Sequence, residues 1–193
     1  MLKLSAHSIA QSLIDNGIIE NESRELYEFG INQMIVSIIN LFITLVIGLC
    51  FHMVWQLFLF MLTYIPLRKF SGGIHAQTQF RCYIASIVML CLVCLILKYL
   101  NISIVALIII YSISAFTIVF LSPIEDQNKP LDIEEHKVYK KISIILLIIE
   151  SLFAWVFYSI GLVSVAQCML LVFDCIFVML ILGHIKKIKR DKS

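Results

Sequence analysis

Long apolar runs separated by short polar segments form the dominant pattern along this chain of 193 residues. Six runs fall at 31–50, 53–67, 82–97, 102–121, 142–160 and 162–185. A helix needs about 20 residues to cross a bilayer core about 30 Å thick, and lengths of about 17–25 are tolerated. The second and third runs are short, so we expect these helices to be extended by flanking residues, tilted, or only partly spanning. The pattern predicts an all-α integral membrane protein with about six transmembrane helices.

The amino-terminal residues 1–30 differ from the runs that follow. Apolar and charged positions are interleaved there at helical spacing, and a continuous apolar stretch of the signal-peptide type is absent. We expect an amphipathic amino-terminal helix that lies in the headgroup plane or docks on the bundle. Gly17 is the expected weak point between two helical pieces.

Composition strengthens the membrane assignment. Hydrophobic residues make up 61% of the chain and charged residues 15%, whereas a soluble domain has about 45–50% apolar and about 25% charged residues. The apolar excess is too large for a water-soluble core. We therefore expect residues 1–193 to form one membrane domain, with 66–82, 122–141 and the basic tail 186–193 as polar segments beyond the amino-terminal region.

The basic residues predict the orientation in the membrane. If six helices cross and both termini are cytoplasmic, fourteen of the fifteen lysines and arginines fall on the cytoplasmic side, and only Lys98 falls outside. Cytoplasmic loops carry the excess of lysine and arginine in membrane proteins. We therefore expect both termini and the segment 66–82 to face the cytoplasm.

The segment 66–82 combines three features that bear on chemistry. The proline at its start lacks an amide hydrogen and favours a helix break. Gly72-Gly73 permits backbone angles that other residues avoid. His75 and Cys82 then follow in the most polar stretch between two membrane runs. A cysteine nucleophile acts as the thiolate, and a neighbouring imidazole accepts its proton, so this broken, cytoplasm-facing segment is a candidate site for a thiol-protease pair.

The spacing of the pair constrains its geometry. His75 and Cys82 are seven positions apart, which is about 10.5 Å along a straight helix, too far for a hydrogen bond. We therefore expect the backbone to break near Gly72-Gly73 and to fold His75 back toward Cys82. Pairing across a dimer interface is the other geometric solution. On residue pattern alone, a re-entrant loop that merely packs against the bundle explains the same residues.

Other residue types narrow the chemistry. Five of the six cysteines lie inside apolar runs, where a free thiol behaves as a small hydrophobe, and only Cys82 stands in a polar neighbourhood. The histidines other than His75 show no metal-ligand spacing, and the H-E-x-x-H, P-loop and G-x-S-x-G motifs are absent from the sequence. We therefore expect no metal and no cofactor, and we exclude zinc proteases, ATPases and serine hydrolases.

Two stretches resemble the AgrB family, the membrane endopeptidases of bacterial peptide quorum sensing. Residues 68–76 read Arg-Lys-Phe-Ser-Gly-Gly-Ile-His-Ala and are followed by Cys82. Residues 123–131 read Pro-Ile-Glu-Asp-Gln-Asn-Lys-Pro-Leu and are similar to the family's second cytoplasmic motif. Length and hydropathy agree with the family over nearly the whole chain.

The resemblance implies a thiol endopeptidase of the bacterial plasma membrane, in the form of a homodimer, whose substrate is a propeptide of the AgrD type. Cys82 would attack the peptide bond before the carboxy-terminal tail and hold the signal region as a thioester, while His75 moves the protons. A propeptide cysteine or serine would then close a thiolactone or lactone ring. Membrane lipids are the other expected partner, and no nucleic acid is expected.

Four further side chains are candidates for supporting roles. Arg68 is expected to bind a propeptide carboxylate or to brace the catalytic segment. Lys129 is expected to meet an acidic propeptide tail, and either Gln77 or Gln79 to donate to an oxyanion. Each has a structural alternative, such as a cation that flanks a membrane helix.

Two hypotheses of other classes stay open. Glu150 and Asp174 lie within apolar runs, where ionisable groups line functional sites or pair across helices. They are consistent with contacts between helices or with the path of a small peptide exporter. A non-enzymatic membrane partner of a sensor is the third possibility, and it predicts no special sensitivity to changes at Cys82.

Overall fold

A computed structural model describes residues 2–73, 79–100, 102–125 and 131–191 of the chain. These ranges are almost wholly helical, which confirms the predicted all-α class. A short 3-10 turn, Asn21–Ser23, precedes the second helix. The seven helices of the described ranges are α1 Leu2–Asp15, α2 Arg24–Phe51, α3 Val54–Ser71, α4 Gln79–Tyr99, α5 Ile104–Leu121, α6 Ile133–Ser159 and α7 Val163–Asp191.

Five stretches in the described ranges are long and apolar enough to cross a membrane, which supports a multi-pass membrane protein. They are Asn21–Phe51, Phe80–Tyr99, Ile104–Leu121, Ile133–Ser159 and Val163–Lys189. Helix α3, which contains the predicted run 53–67, is outside this set because its last turn carries Arg68 and Lys69. The sixth crossing therefore stays a prediction, as do the cytoplasmic location of the termini and the single membrane domain.

The chain divides into two compact units, Met1–Val46 and Ile47–Ser193. In the first unit, α1 ends at Asp15 and the chain turns at Gly17, whose φ of +69° favours glycine. The predicted break at Gly17 is therefore present. Beyond the turn, Glu28 of α2 accepts hydrogen bonds from His7 of α1 and from Arg24, so polar contacts connect the two helical pieces.

Helix α7 is the centre of the second unit and contacts α3, α4, α5 and α6. Its middle is fully buried over Val172, Phe173 and Ile176, because it is surrounded by apolar faces of its neighbours. Local signals fix where two of these neighbours begin. Ser103 caps α5 by accepting a hydrogen bond from the Ala106 amide at 3.3 Å, and Asp132 with Glu135 forms a capping box at the start of α6.

Three buried serines join the ends of α3 and α5 to the first half of α6. The Ser143 hydroxyl lies 2.7 Å from Ser71 Oγ and accepts a hydrogen bond from Ser122 Oγ at 3.0 Å. Buried hydroxyl groups of this kind need such partners, since an unsatisfied one costs about 1–3 kcal/mol. We call this end of the second unit the serine end. The segments that follow α3 and α5 therefore meet at one end of the bundle.

Candidate functional site

The predicted helix break at Gly72-Gly73 is present at the serine end, whereas the break expected at Pro66 is wrong, because α3 continues through this residue to Ser71. Helix α3 ends at Ser71, and Gly72 and Gly73 have φ values of +71° and +114°, which other residues rarely adopt. Gly72 forms a parallel bridge with Ile124. In this bridge the Ile124 amide donates to Ser71 O at 3.1 Å, and the Gly73 amide donates to Ile124 O at 3.2 Å.

The glycine turn is enclosed as well as bent. A Cβ atom at Gly72 would overlap the backbone carbonyl of Ile124. A Cβ at Gly73 would lie 2.8 Å from the backbone oxygen of Met179 on α7 and 2.9 Å from Arg68 Nη1. Both positions therefore need glycine for space as well as for backbone angle.

Arg68 supports this turn from the last turn of α3. Its Nη1 donates a hydrogen bond to the carbonyl of Gly72, and its side chain is also hydrogen-bonded to Tyr64, one helical turn earlier. These contacts fit the bracing role predicted for Arg68. Sequence reasoning missed Tyr64, although a tyrosine four residues before an arginine on a helix lies on the same face.

Cys82 is the fourth residue of α4, and it is exposed. It lies close enough to Tyr64 to influence the hydroxyl of that residue electrostatically, so the thiol belongs to the same end of the bundle as Arg68. Cys94 and Cys168, in contrast, are buried. Cys82 is thus an exposed thiol in the first turn of α4.

Several predicted site residues lie outside the described part of the chain, namely His75, Gln77 and Lys129. Gln79 is the first residue of α4, and its side chain is outside the described part as well. The approach of His75 to Cys82 therefore stays a prediction. Within the described ranges, His, Cys, Asp and Glu side chains form no group of three that could hold a metal ion.

An open groove of about 540 Å³ runs between α4 and α7. On α4 it extends from Arg81 to Ile96, a length of about 22 Å at 1.5 Å per residue. Its walls are almost entirely apolar. Arg81 directly precedes Cys82, and Met179 contributes both to the groove and to the contact with Gly73, so the groove reaches the candidate site.

The two acidic residues of the apolar runs lie inside the second unit, deeper than the glycine turn. Asp174 accepts a hydrogen bond from Ser114 Oγ at 2.7 Å and lines the groove. Glu150 is only 7% exposed, and its Oε2 has no hydrogen-bond partner within the described residues. Asp174 thus joins α5 to α7, as the hypothesis of contacts between helices predicts, whereas the described contacts assign no partner to Glu150.

Similarity to known proteins agrees with these features. Residues 6–185 match the family Accessory gene regulator B, AgrB. An AgrB-like protein of Clostridium perfringens (strain SM101 / Type A) is 28% identical over 163 residues, which cover 78% of this chain and 76% of the relative. AgrB-like protein 2 of Clostridium perfringens (strain 13 / Type A) is 26% identical over 173 residues, covering 83% and 81%. No solved structure matches the chain. Because the family match spans most of its length, this multi-pass membrane protein belongs to the AgrB family of the agr quorum-sensing system.

Proposed function

We propose that the protein is a membrane cysteine endopeptidase that removes the carboxy-terminal tail of an AgrD-type propeptide and promotes cyclisation of the signal peptide. The observation that carries this proposal is the position of Cys82. Its exposed thiol stands in the first turn of α4 at the end of the bundle where Arg68 braces the glycine turn. His75 lies four positions before Gln79, the first residue of α4. The chain therefore limits the distance between the Cα atoms of His75 and Gln79 to about 14 Å.

The proposed reaction has two acyl-transfer steps. The Cys82 thiolate attacks the scissile carbonyl carbon, the carbon–nitrogen bond breaks, and the leaving amine takes a proton from the His75 imidazolium. The signal region is then held as a thioester. A propeptide thiol attacks this thioester, loses its proton to His75, and returns the sulfur of Cys82, so the ring closes without consuming water. A propeptide serine would give a lactone by the same route.

The start of α4 offers donors for the oxyanion of the first step. The first four amide groups of an α-helix have no partner inside the helix, and Cys82 lies within this turn. Backbone donors placed close to the reacting carbonyl stabilise the negative charge that develops on its oxygen. These amides join the side chains of Gln77 and Gln79 as candidates for this role.

The groove between α4 and α7 is the proposed place for an apolar segment of the propeptide. Because it reaches Arg81 and Met179 beside the site, a segment lying in it would present the following peptide bond near Cys82. A site at the membrane edge also limits access of water, which would otherwise hydrolyse the thioester. The same proposal has three further parts. Lys129 contacts the propeptide tail, the protein is a homodimer, and its active face lies in the cytoplasm.

Co-expression with the propeptide tests the proposal. We expect Cys82→Ala and His75→Ala each to lower cleavage by about 10³-fold or more, as removal of a nucleophile or its base does in other proteases. Cys50→Ala is the matched control, because Cys50 is also exposed but precedes the start of α3, whereas Arg68 and the glycine turn lie at the end of α3. A propeptide adduct that hydroxylamine releases should form on wild type and not on Cys82→Ala. Cleavage that survives Cys82→Ala at equal protein levels would refute the mechanism.

A further inference from the structure

A second pocket, of about 300 Å³, lies at the serine end, and the proposed reaction does not use it. The pocket is formed by the end of α5, the segment after it, the first turns of α6 and the last turns of α7. We call it the basic pocket. The residues that characterise it are Phe120, Ile124, His136, Lys140, His184 and Lys187.

The basic side chains of the basic pocket come from two helices. His136 and Lys140 are four residues apart on α6, and His184 and Lys187 are three apart on α7, so each pair shares one helix face. Within the described residues, neither lysine has a carboxylate partner. Lys137, which pairs with Glu134, lies outside the pocket. The pocket therefore concentrates positive charge without an internal counter-charge from the described part of the chain.

The position along both helices matches the depth of lipid headgroups. On α6 the charged first turns end at Lys141 and the apolar run 142–160 begins, whereas on α7 the apolar run 162–185 ends where the basic tail begins. The basic pocket lies at this boundary on both helices, with His136 and Lys140 just before it on α6 and His184 and Lys187 on either side of it on α7. Phe120, which is 63% exposed, and Ile188, which is 42% exposed, supply an apolar wall beside the cations. Basic pockets between membrane helices at this depth bind anionic headgroups.

We propose that the basic pocket binds the phosphate headgroup of an anionic phospholipid, with Lys140 and Lys187 as its cationic contacts and Phe120 beside the first part of an acyl chain. The apolar wall favours a lipid over an acidic peptide, because an acyl chain can bury this wall and the carboxylates of a soluble peptide cannot. This binding does not depend on the proposed cleavage. It does lie next to the candidate site, since Ile124 lines the pocket and holds Gly72 and Gly73 by backbone contacts.

Retention of lipids by the purified full-length protein tests the proposal. The protein is equilibrated with equal amounts of phosphatidylglycerol and phosphatidylcholine in a neutral detergent, and bound lipids are counted by native mass spectrometry. Wild type should retain phosphatidylglycerol preferentially. Lys140→Gln/Lys187→Gln should weaken this preference by about 30-fold, because each basic residue near a membrane contributes about fivefold.

Two matched variants make the result specific. Lys137→Gln/Lys189→Gln removes the same charge from the same two helices outside the basic pocket, and it should keep the preference. Lys140→Arg/Lys187→Arg should also keep it, which separates loss of charge from loss of folding. Equal retention of the two lipids by wild type, or an equal loss in the Lys137→Gln/Lys189→Gln control, overturns the proposal. Displacement of the lipid by inorganic phosphate or by an acidic peptide at the same concentration overturns it as well, because the site would then recognise a free anion or a peptide.

Discussion

Replacement of Gly73 by alanine should separate steric enclosure from backbone strain at the glycine turn. Gly73 has a φ of +114°, and its added Cβ would lie 2.8 Å from Met179 O and 2.9 Å from Arg68 Nη1. A residue held in a sparsely populated backbone region costs about 1–3 kcal/mol. Overpacking against fixed atoms adds about 1–3 kcal/mol. Arg68 can move, but Met179 O belongs to the backbone of the central helix. We therefore expect Gly73→Ala to lower the free energy of unfolding by about 2–6 kcal/mol.

Gly161 provides the matched control for this change. Its φ is +85°, but a Cβ there would meet no atom within 4 Å. Gly161→Ala should therefore cost only the strain, about 1–3 kcal/mol. Unfolding of both variants is followed by titration with denaturing detergent in mixed micelles, and cleavage of the propeptide is measured on the folded fraction. Gly73→Ala should also lower cleavage, because the turn shifts against Arg68. Equal destabilisation by the two substitutions would refute the steric argument for Gly73.

Two further substitutions test the surroundings of the site. Ser143→Ala leaves Ser71 and Ser122 without their shared hydrogen-bond partner, so it should lower the free energy of unfolding by about 1–3 kcal/mol in the same titration. Ser112→Ala, on an exposed face, should change stability little. Equal effects of the two substitutions would contradict the serine contacts. Ala85→Trp fills the groove between α4 and α7 and should raise the KM for the propeptide at least about tenfold, whereas Ile87→Trp, which faces outside the groove, should not. An unchanged KM for Ala85→Trp would place the propeptide elsewhere.

The local sequence pattern was sufficient to predict the helices and the break between α3 and α4. Apolar runs of membrane length predict helices because lipid forces the backbone to satisfy its own hydrogen bonds. The break after Ser71 follows from Gly72 and Gly73, whose missing side chains are visible in the sequence. The run 53–67 shows the limit of this approach, since α3 continues to Ser71 through Pro66 and two basic residues. Packing against α6 and α7 extends it there, and no local signal reports such packing.

Long-range contacts of the site were beyond the sequence pattern. Tyr64 looks like one more residue of an apolar run, yet its side chain contacts Arg68. The contact of Met179 with Gly73 joins residues more than a hundred positions apart. Such contacts depend on the angles at which the helices cross. The hydrophobic periodicity indicates only which face of each helix is apolar, so it does not predict these angles.

The two stretches that resemble the AgrB family meet in the structure. The first contributes Arg68, Ser71, Gly72 and Gly73, and the second contributes Ile124, whose amide and carbonyl groups pair with Ser71 and Gly73. Backbone pairing of this kind needs no particular side chain at Ile124, but it does require glycine opposite, because a Cβ at Gly72 would overlap the Ile124 carbonyl. The segment after α5 therefore acts as a backbone support for the turn that precedes His75. On the proposed function, changes at Ser122, Pro123 or Ile124 can alter cleavage through the position of this turn, without any contact between these three residues and the substrate.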